Sequence, residues 1–213
     1  SVSPTYPPYV PTPTPTPLAE LRVSDVQVVA GTGEKGFRDG PALQATFNQL
    51  TGMCYAPKTQ DLYILDTNMV RKLSKDGVVT TIAGEPEAGF RDGEPMQARF
   101  KLLSDCAVAE NGDLYLADHW NHRIRRISPL GDVNTVMGTG NPGRQDGPAL
   151  QAELMDINSL LFATPERLYF TDSCWIRILE NGVVSTINAY QSDSVSAQGG
   201  PQYNGQEYAY DGS

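Results

Sequence analysis

An all-β fold built from repeated, radially stacked four-stranded sheets is what this sequence predicts, and three observations predict it. The first is a turn string written three times: GFRDG at residues 36–40 and 89–93, and GRQDG at 143–147. Its Asp-Gly pairs, Asp39-Gly40, Asp92-Gly93 and Asp146-Gly147, follow one another at intervals of 53 and 54 residues. The second is that four short strand-like segments follow each copy in the same order. These read GMCYA, DCAVA and SLLFA, then DLYILD, DLYLAD and RLYFTD, then VRKL, IRRI and IRIL, and last GVVTTIAG, DVNTVMG and GVVSTI. The third is hairpin chemistry: Lys75-Asp76-Gly77, Glu110-Asn111-Gly112 and Glu180-Asn181-Gly182 supply the positive φ that tight turns need. Four strands per unit of this length is the pattern of a β-propeller blade, and about three blades are present.

Each element has its own physical reason. In RDGPALQA the Asp is expected to cap the first turn of a short helix, the Gly to give the backbone freedom to enter it, and Pro41 to preset φ there. Small residues, Ala45, Ala98 and Ala152, then let the turn pack closely. The whole stretch reads as the loop from the outer strand of one blade to the inner strand of the next. Segments such as DLYILD are short, rich in strand formers and closed by Asp, as a central strand buried on both faces should be. VRKL and VVTT mix apolar with polar residues, which places them nearer the outer edge. One blade alone cannot bury both of its faces, so stacking must complete the core.

Composition bounds the rest. With 213 residues, 39% apolar and 8% aromatic, the chain has the material for a real core, and no run approaches the roughly 18 apolar residues of a spanning helix. A net charge of -9 disfavours nucleic acid as a partner. Residues 1–20 form a Pro/Thr-rich arm whose first 17 residues hold seven prolines and no charge, an extended polyproline segment with the composition of an O-glycosylated stalk. Thr5, Tyr6, Tyr9, Thr12, Thr14 and Thr16 are its candidate glycan and partner contacts, and with no N-x-S/T sequon in the chain any sugar is O-linked. Residues 21–187 carry the blades. Residues 188–213, rich in Gly and Tyr, read as a tail that starts a further blade. A first residue of Ser with no leader reads as a processed product.

The middle unit carries a resemblance. Ala83-Gly84, Asp92-Gly93, Ala98-Arg99-Phe100, Leu114-Tyr115-Leu116-Ala117-Asp118 and Asn121-His122-Arg123-Ile124-Arg125-Arg126-Ile127 together resemble the NHL-repeat family of propellers. The first unit departs in its shorter TNMVRKL. The third departs further, with Arg144 where the others have Phe37 and Phe90, Leu154 for Phe, and SCWIRIL for the family motif. Relatives of this kind close with about six blades, which implies a larger parent chain or a second chain that completes the stack. Some are lyases or hydrolases with metal-binding groups at the ring centre, and some bind RNA on a basic face.

Residues of chemical interest are few. Cys54 and Cys106 are read as equivalent positions of neighbouring units, which leaves two readings open: a bridge between units, or buried thiols. Cys174 would then pair outside the chain. His119 and His122, in a surface loop, lack a third ligand for a metal. Asp66, Asp118 and Asp172 recur at strand ends; a calcium reading yields to a structural one, in which each bonds amides of the next turn. Alternation splits Arg125 from Arg126, so pairing with carboxylates outweighs RNA binding. Asp39, Gly40, Asp92, Gly93, Asp146 and Gly147 read as structural. No catalytic residue, metal or cofactor is expected. The function expected is a non-catalytic extracellular or cell-surface glycoprotein, a propeller scaffold whose arm docks on a neighbouring subunit, self-assembling in a filament or wall. The alternatives are a propeller lyase or hydrolase with its metal site in other blades, and an RNA-binding module.

Overall fold

In the computed structural model, which describes residues 27–187, three antiparallel sheets follow one another along the chain. The arm, residues 1–20, and the tail, residues 188–213, lie outside the described residues. The first blade comprises β1 (Gly40–Pro41), β2 (Leu50–Ala56), β3 (Asp61–Asp66), β4 (Met69–Leu73) and β5 (Val78–Ala83), in the spatial order β1-β5-β4-β3-β2. The second is β6 (Leu103–Val108), β7 (Leu114–Asp118), β8 (Arg123–Ile127) and β9 (Val133–Met137), ordered as in sequence. The third is β10 (Gly147–Pro148), β11 (Ile157–Thr164), β12 (Arg167–Asp172), β13 (Trp175–Glu180) and β14 (Val183–Thr186), ordered β10-β14-β13-β12-β11. These are propeller-type blades, each built on a four-stranded meander, with the two-residue strands β1 and β10 added at the outer edge of the first and third.

The Asp-Gly loop does more than carry the chain between blades. Gly40 pairs with Val79 and Gly147 with Val184, while Gly93 bridges Val133, so the loop lies along the outer edge of the blade it is entering. Those glycines hold φ of 128°, 136° and 115°, a region closed to ordinary side chains. The Asp does not cap the following turn. The 3-10 turn Ala42–Gln44 has Pro41 at its N-cap and no side-chain cap bond, because the Asp39 carboxylate is held elsewhere.

Stacking completes the core, as a blade with two apolar faces requires. Leu65, Val70 and Ala83 of the first blade pack against Leu103, Cys106 and Leu116 of the second. Ala107, Ile124 and Met137 on the second blade's other face pack against Leu154, Leu160 and Phe170 of the third. Inner strands β2, β6 and β11 touch in series. Close approach is enforced at Gly52, where an added Cβ would sit 2.7 Å from the Ser104 carbonyl oxygen of the next blade.

Candidate functional site: repeated arginine clamps and two open faces

The largest fully buried side chains are not apolar: they are Arg71, Arg125 and Arg177, with at most 1% exposure. Each sits at the same place on the third strand of its blade. A guanidinium in such a place is tolerated only where acceptors meet most of its donors. The solution in the second blade is complete. Arg125 Nε and Nη2 donate to Asp92 Oδ1 at 3.0 and 2.5 Å, and Nη1 donates to Asp118 Oδ2 at 2.8 Å. Nη2 and Nη1 also reach the carbonyl oxygens of Arg91 and Arg99, at 2.8 and 3.2 Å. Phe100 lies under the guanidinium carbon, 5.0 Å from ring centre, and Phe90 at 4.8 Å.

This clamp occurs three times. Arg71 binds Asp39 and Asp66 at 2.5 and 3.1 Å, and Arg177 binds Asp146 and Asp172 at 2.8 and 2.6 Å. Arg71, Arg125 and Arg177 each donate Nη2 to the carbonyl just before the loop Asp: Arg38, Arg91 and Gln145. The repeated turn string is therefore the cover of a buried cation. The third clamp is looser, because Arg177 Nε is left with no partner among the described residues.

The strand-end carboxylates are held differently from expectation. Asp66 Oδ1 accepts from the amides of Asn48 and Gln49, Asp118 Oδ1 from Lys101, and Asp172 Oδ1 from Met155 and Asp156. These amides precede the blade's first strand, so each Asp ties the entry of its blade to the end of its second strand, and Asp118 alone of the three also bonds the next turn, through the Asn121 side chain. Burial pushes the Asp118 carboxyl above the usual carboxylate value; bonds from Asn121, the Lys101 amide and Arg125 oppose that rise. With both oxygens of each Asp already accepting donors, the arrangement fixes loops. Among the described residues no group of three or more His, Cys, Asp and Glu is placed to hold a metal ion.

The clamp arginines were missed as a set. Alternation correctly separates Arg125, which is buried, from Arg126, which reaches Asp113 at 3.6 Å. The available signal was an Arg recurring in VRKL, IRRI and IRIL at intervals of 54 and 52 residues. Reading polar content as outer-edge exposure concealed it.

Two further positions differ from expectation. His119 and His122 are half-buried rather than free at the surface: their Nδ1 atoms lie 2.9 and 2.5 Å from the carbonyl oxygens of Ile157 and Met155, joining the second blade to the third. Cys54 and Cys106 form a disulfide between β2 and β6. They are not equivalent positions. Cys54 pairs across its sheet with Tyr63, the place held by Ala107 opposite Tyr115, whereas Cys106 opposite Leu116 matches Met53 opposite Ile64. Equivalent residues would point the same way. The offset of one residue turns Cys54 forward and Cys106 back, so that the two meet.

Third-blade departures also have a structural account. Arg123 lies over the Phe90 ring at 4.0 Å, and Arg144 lies over Trp175 at 3.5 Å. Arg144 stands where Phe90 does, and Trp175 where Arg123 does, so the cation and the ring have exchanged places.

Among the described residues the outer faces of the stack carry exposed apolar side chains. On β2 the backward-facing Leu50 and Met53 are 57% and 66% exposed, whereas Leu103 and Cys106, at the same places in the second blade, are buried. On the third blade the forward-facing Leu161 and Ile176 are 63% and 54% exposed.

No protein-family model matches the chain. Protein SUPPRESSOR OF QUENCHING 1, chloroplastic, of Arabidopsis thaliana is 29% identical over 160 residues, covering 69% of this chain and 15% of the relative. NHL repeat-containing protein 2 of Gallus gallus is 35% identical over 101 residues, 46% of this chain and 14% of the relative. The chain thus spans about one seventh of the length of these curated relatives. An auxiliary nutrient binding protein from Bacteroides ovatus superposes with a TM-score of 0.53 at 20% identity, over 68% of this chain and 39% of that one.

Proposed function

We propose that this chain is a non-catalytic interaction scaffold of an extracellular or cell-surface compartment, whose rigid body is a stack of propeller blades. The observation that carries the reading is the clamp written three times. The recurring charged side chains, which in a reaction centre would face substrate, here hold the loops of each blade under a buried arginine. The bridge between Cys54 and Cys106 supports the compartment, because such bonds persist where the surroundings are oxidising. In this reading the Pro/Thr arm, residues 1–20, bears O-linked glycan on its threonines and contacts a neighbouring subunit through Tyr6 and Tyr9. Support for the arm is its composition.

Intact mass and thiol content of the natural material test it. Expected are one titratable thiol, from Cys174, and a mass that falls on O-deglycosylation. A mass indifferent to deglycosylation, with three free thiols, overturns the proposal. So does a stoichiometric zinc or calcium ion in the intact protein, which favours a hydrolase or lyase.

A further inference from the structure

We infer that the open faces of the first and third blades dock on each other between two copies of this chain, head to tail. This rests on the scaffold reading and names its partner as a second copy. The reason is repetition: among the described residues the inner strands make the same apolar packing twice, and the outward faces of the first and third blades are the two halves of a third such packing. Within the inner strands, three residues stand opposite the tyrosine of the second strand and face forward: Cys54, Ala107 and Leu161. Their immediate predecessors in the strand, Met53, Cys106 and Leu160, face back. At the first junction Cys54 meets Cys106 in a disulfide. At the second, Ala107 and Leu160 share one buried cluster. The pair left unmade is Leu161 with Met53, and both are exposed.

The polar contacts differ between the two junctions, and one contact of the first has a counterpart at the open face. The Thr67 carbonyl accepts the Leu103 amide of the next blade at 2.9 Å, and Asn68 Oδ1 accepts the Leu102 amide at 2.9 Å. Ser173 holds the place of Thr67 and shares its positive φ, 55° against 62°. Its carbonyl is thereby offered to the amide of Leu50 in a second copy. A back-to-back arrangement would set Met53 against Met53, a contact with no precedent at either existing junction. Head-to-tail contact of this kind closes into a ring or propagates.

The test uses the full 213-residue chain with Cys174→Ser, so that no native thiol competes. Met53→Cys and Leu161→Cys chains are prepared separately, mixed and gently oxidised. The mixture is expected to give a covalent dimer joined at 53 and 161, with Cys54–Cys106 retained by peptide mapping, while each variant alone gives no covalent dimer. Sedimentation of the unsubstituted chain is expected to show self-association, lost in Leu161→Asp. No cross-link in the mixture, equal cross-linking of a single variant with itself, or a chain that sediments as a monomer at every concentration overturns the inference. Neither readout depends on glycan or on the thiol count, so this inference and the scaffold reading fail separately.

Discussion

Burying three guanidinium groups is tolerable only because two carboxylates and two carbonyls meet each one, and this makes single substitutions in a clamp severe. Arg125→Ala leaves Asp118 charged and enclosed, with an expected loss of about 3–5 kcal/mol in urea unfolding. Arg125→Lys should rescue little of it, since an ammonium cannot bridge Asp92 and Asp118 with a planar fork. Asp92→Asn should be milder than Arg125→Ala, because the Asp92 side chain is 38% exposed and water compensates in part. Asp118 also sets a sign for pH dependence. Its folded-state affinity for a proton exceeds that of an ordinary carboxyl at 3.8, through burial. Between 3.8 and the raised folded value the folded state holds the proton and the unfolded chain has released it. The part of stability due to Asp118 therefore rises as pH falls through that window, and is level above it. Urea midpoints followed from neutral to mildly acidic pH should show the gap between wild type and Asp118→Asn widening on acidification; a gap that narrows would contradict the assignment.

Strands and turns transmit these residue effects to whole blades. The Cys54–Cys106 bond ties two inner strands across 52 residues of chain, so its removal frees a long loop in the unfolded state. Loop-closure entropy puts the loss near 4 kcal/mol. Unfolding of Cys54→Ser with Cys106→Ser, against wild type with and without reductant, should show that drop twice, and insensitivity of wild type to reductant would show the bond absent. Blade number, strand order and turn glycines were legible in the sequence, because apolar runs, Asp-Gly turns and a 53-residue period are local signals. Two features were not. Arg71, Arg125 and Arg177 sit in segments whose polar content reads as edge, and only the partners Asp39, Asp92 and Asp146, some 30 residues earlier, make their burial affordable. The facing of the cysteines hung on a single residue of register. Their 52-residue spacing, one short of the repeat, held that information, but a strand's two faces differ by one step and loose alignment erases it. The exchange of cation and ring between Phe90–Arg123 and Arg144–Trp175 was visible only as two unrelated departures, since nothing in one sequence says that those loops touch.

At the level of the molecule, stability is divided among junctions rather than blades, since each sheet is completed by the next. Val70, Ile124 and Ile176 occupy one position in three blades, facing forward from the third strand. The first two are fully buried by a following blade, and Ile176 is 54% exposed because the face before it is open. Truncation should read out that difference. Ile124→Ala removes buried methyl groups and opens a cavity at the second junction, an expected loss of about 2–4 kcal/mol. Ile176→Ala in dilute solution should fall within about 1 kcal/mol of wild type, because its side chain already meets water. Raising protein concentration should leave the effect of Ile124→Ala unchanged while that of Ile176→Ala grows, since docking of a second copy would bury the latter as Val70 and Ile124 are buried now. Thermal unfolding of the three chains at two concentrations at least a hundredfold apart makes the comparison. If the penalty for Ile176→Ala stays small and constant, the forward face of the third blade remains open to solvent, and the junction supplied by a second copy does not form.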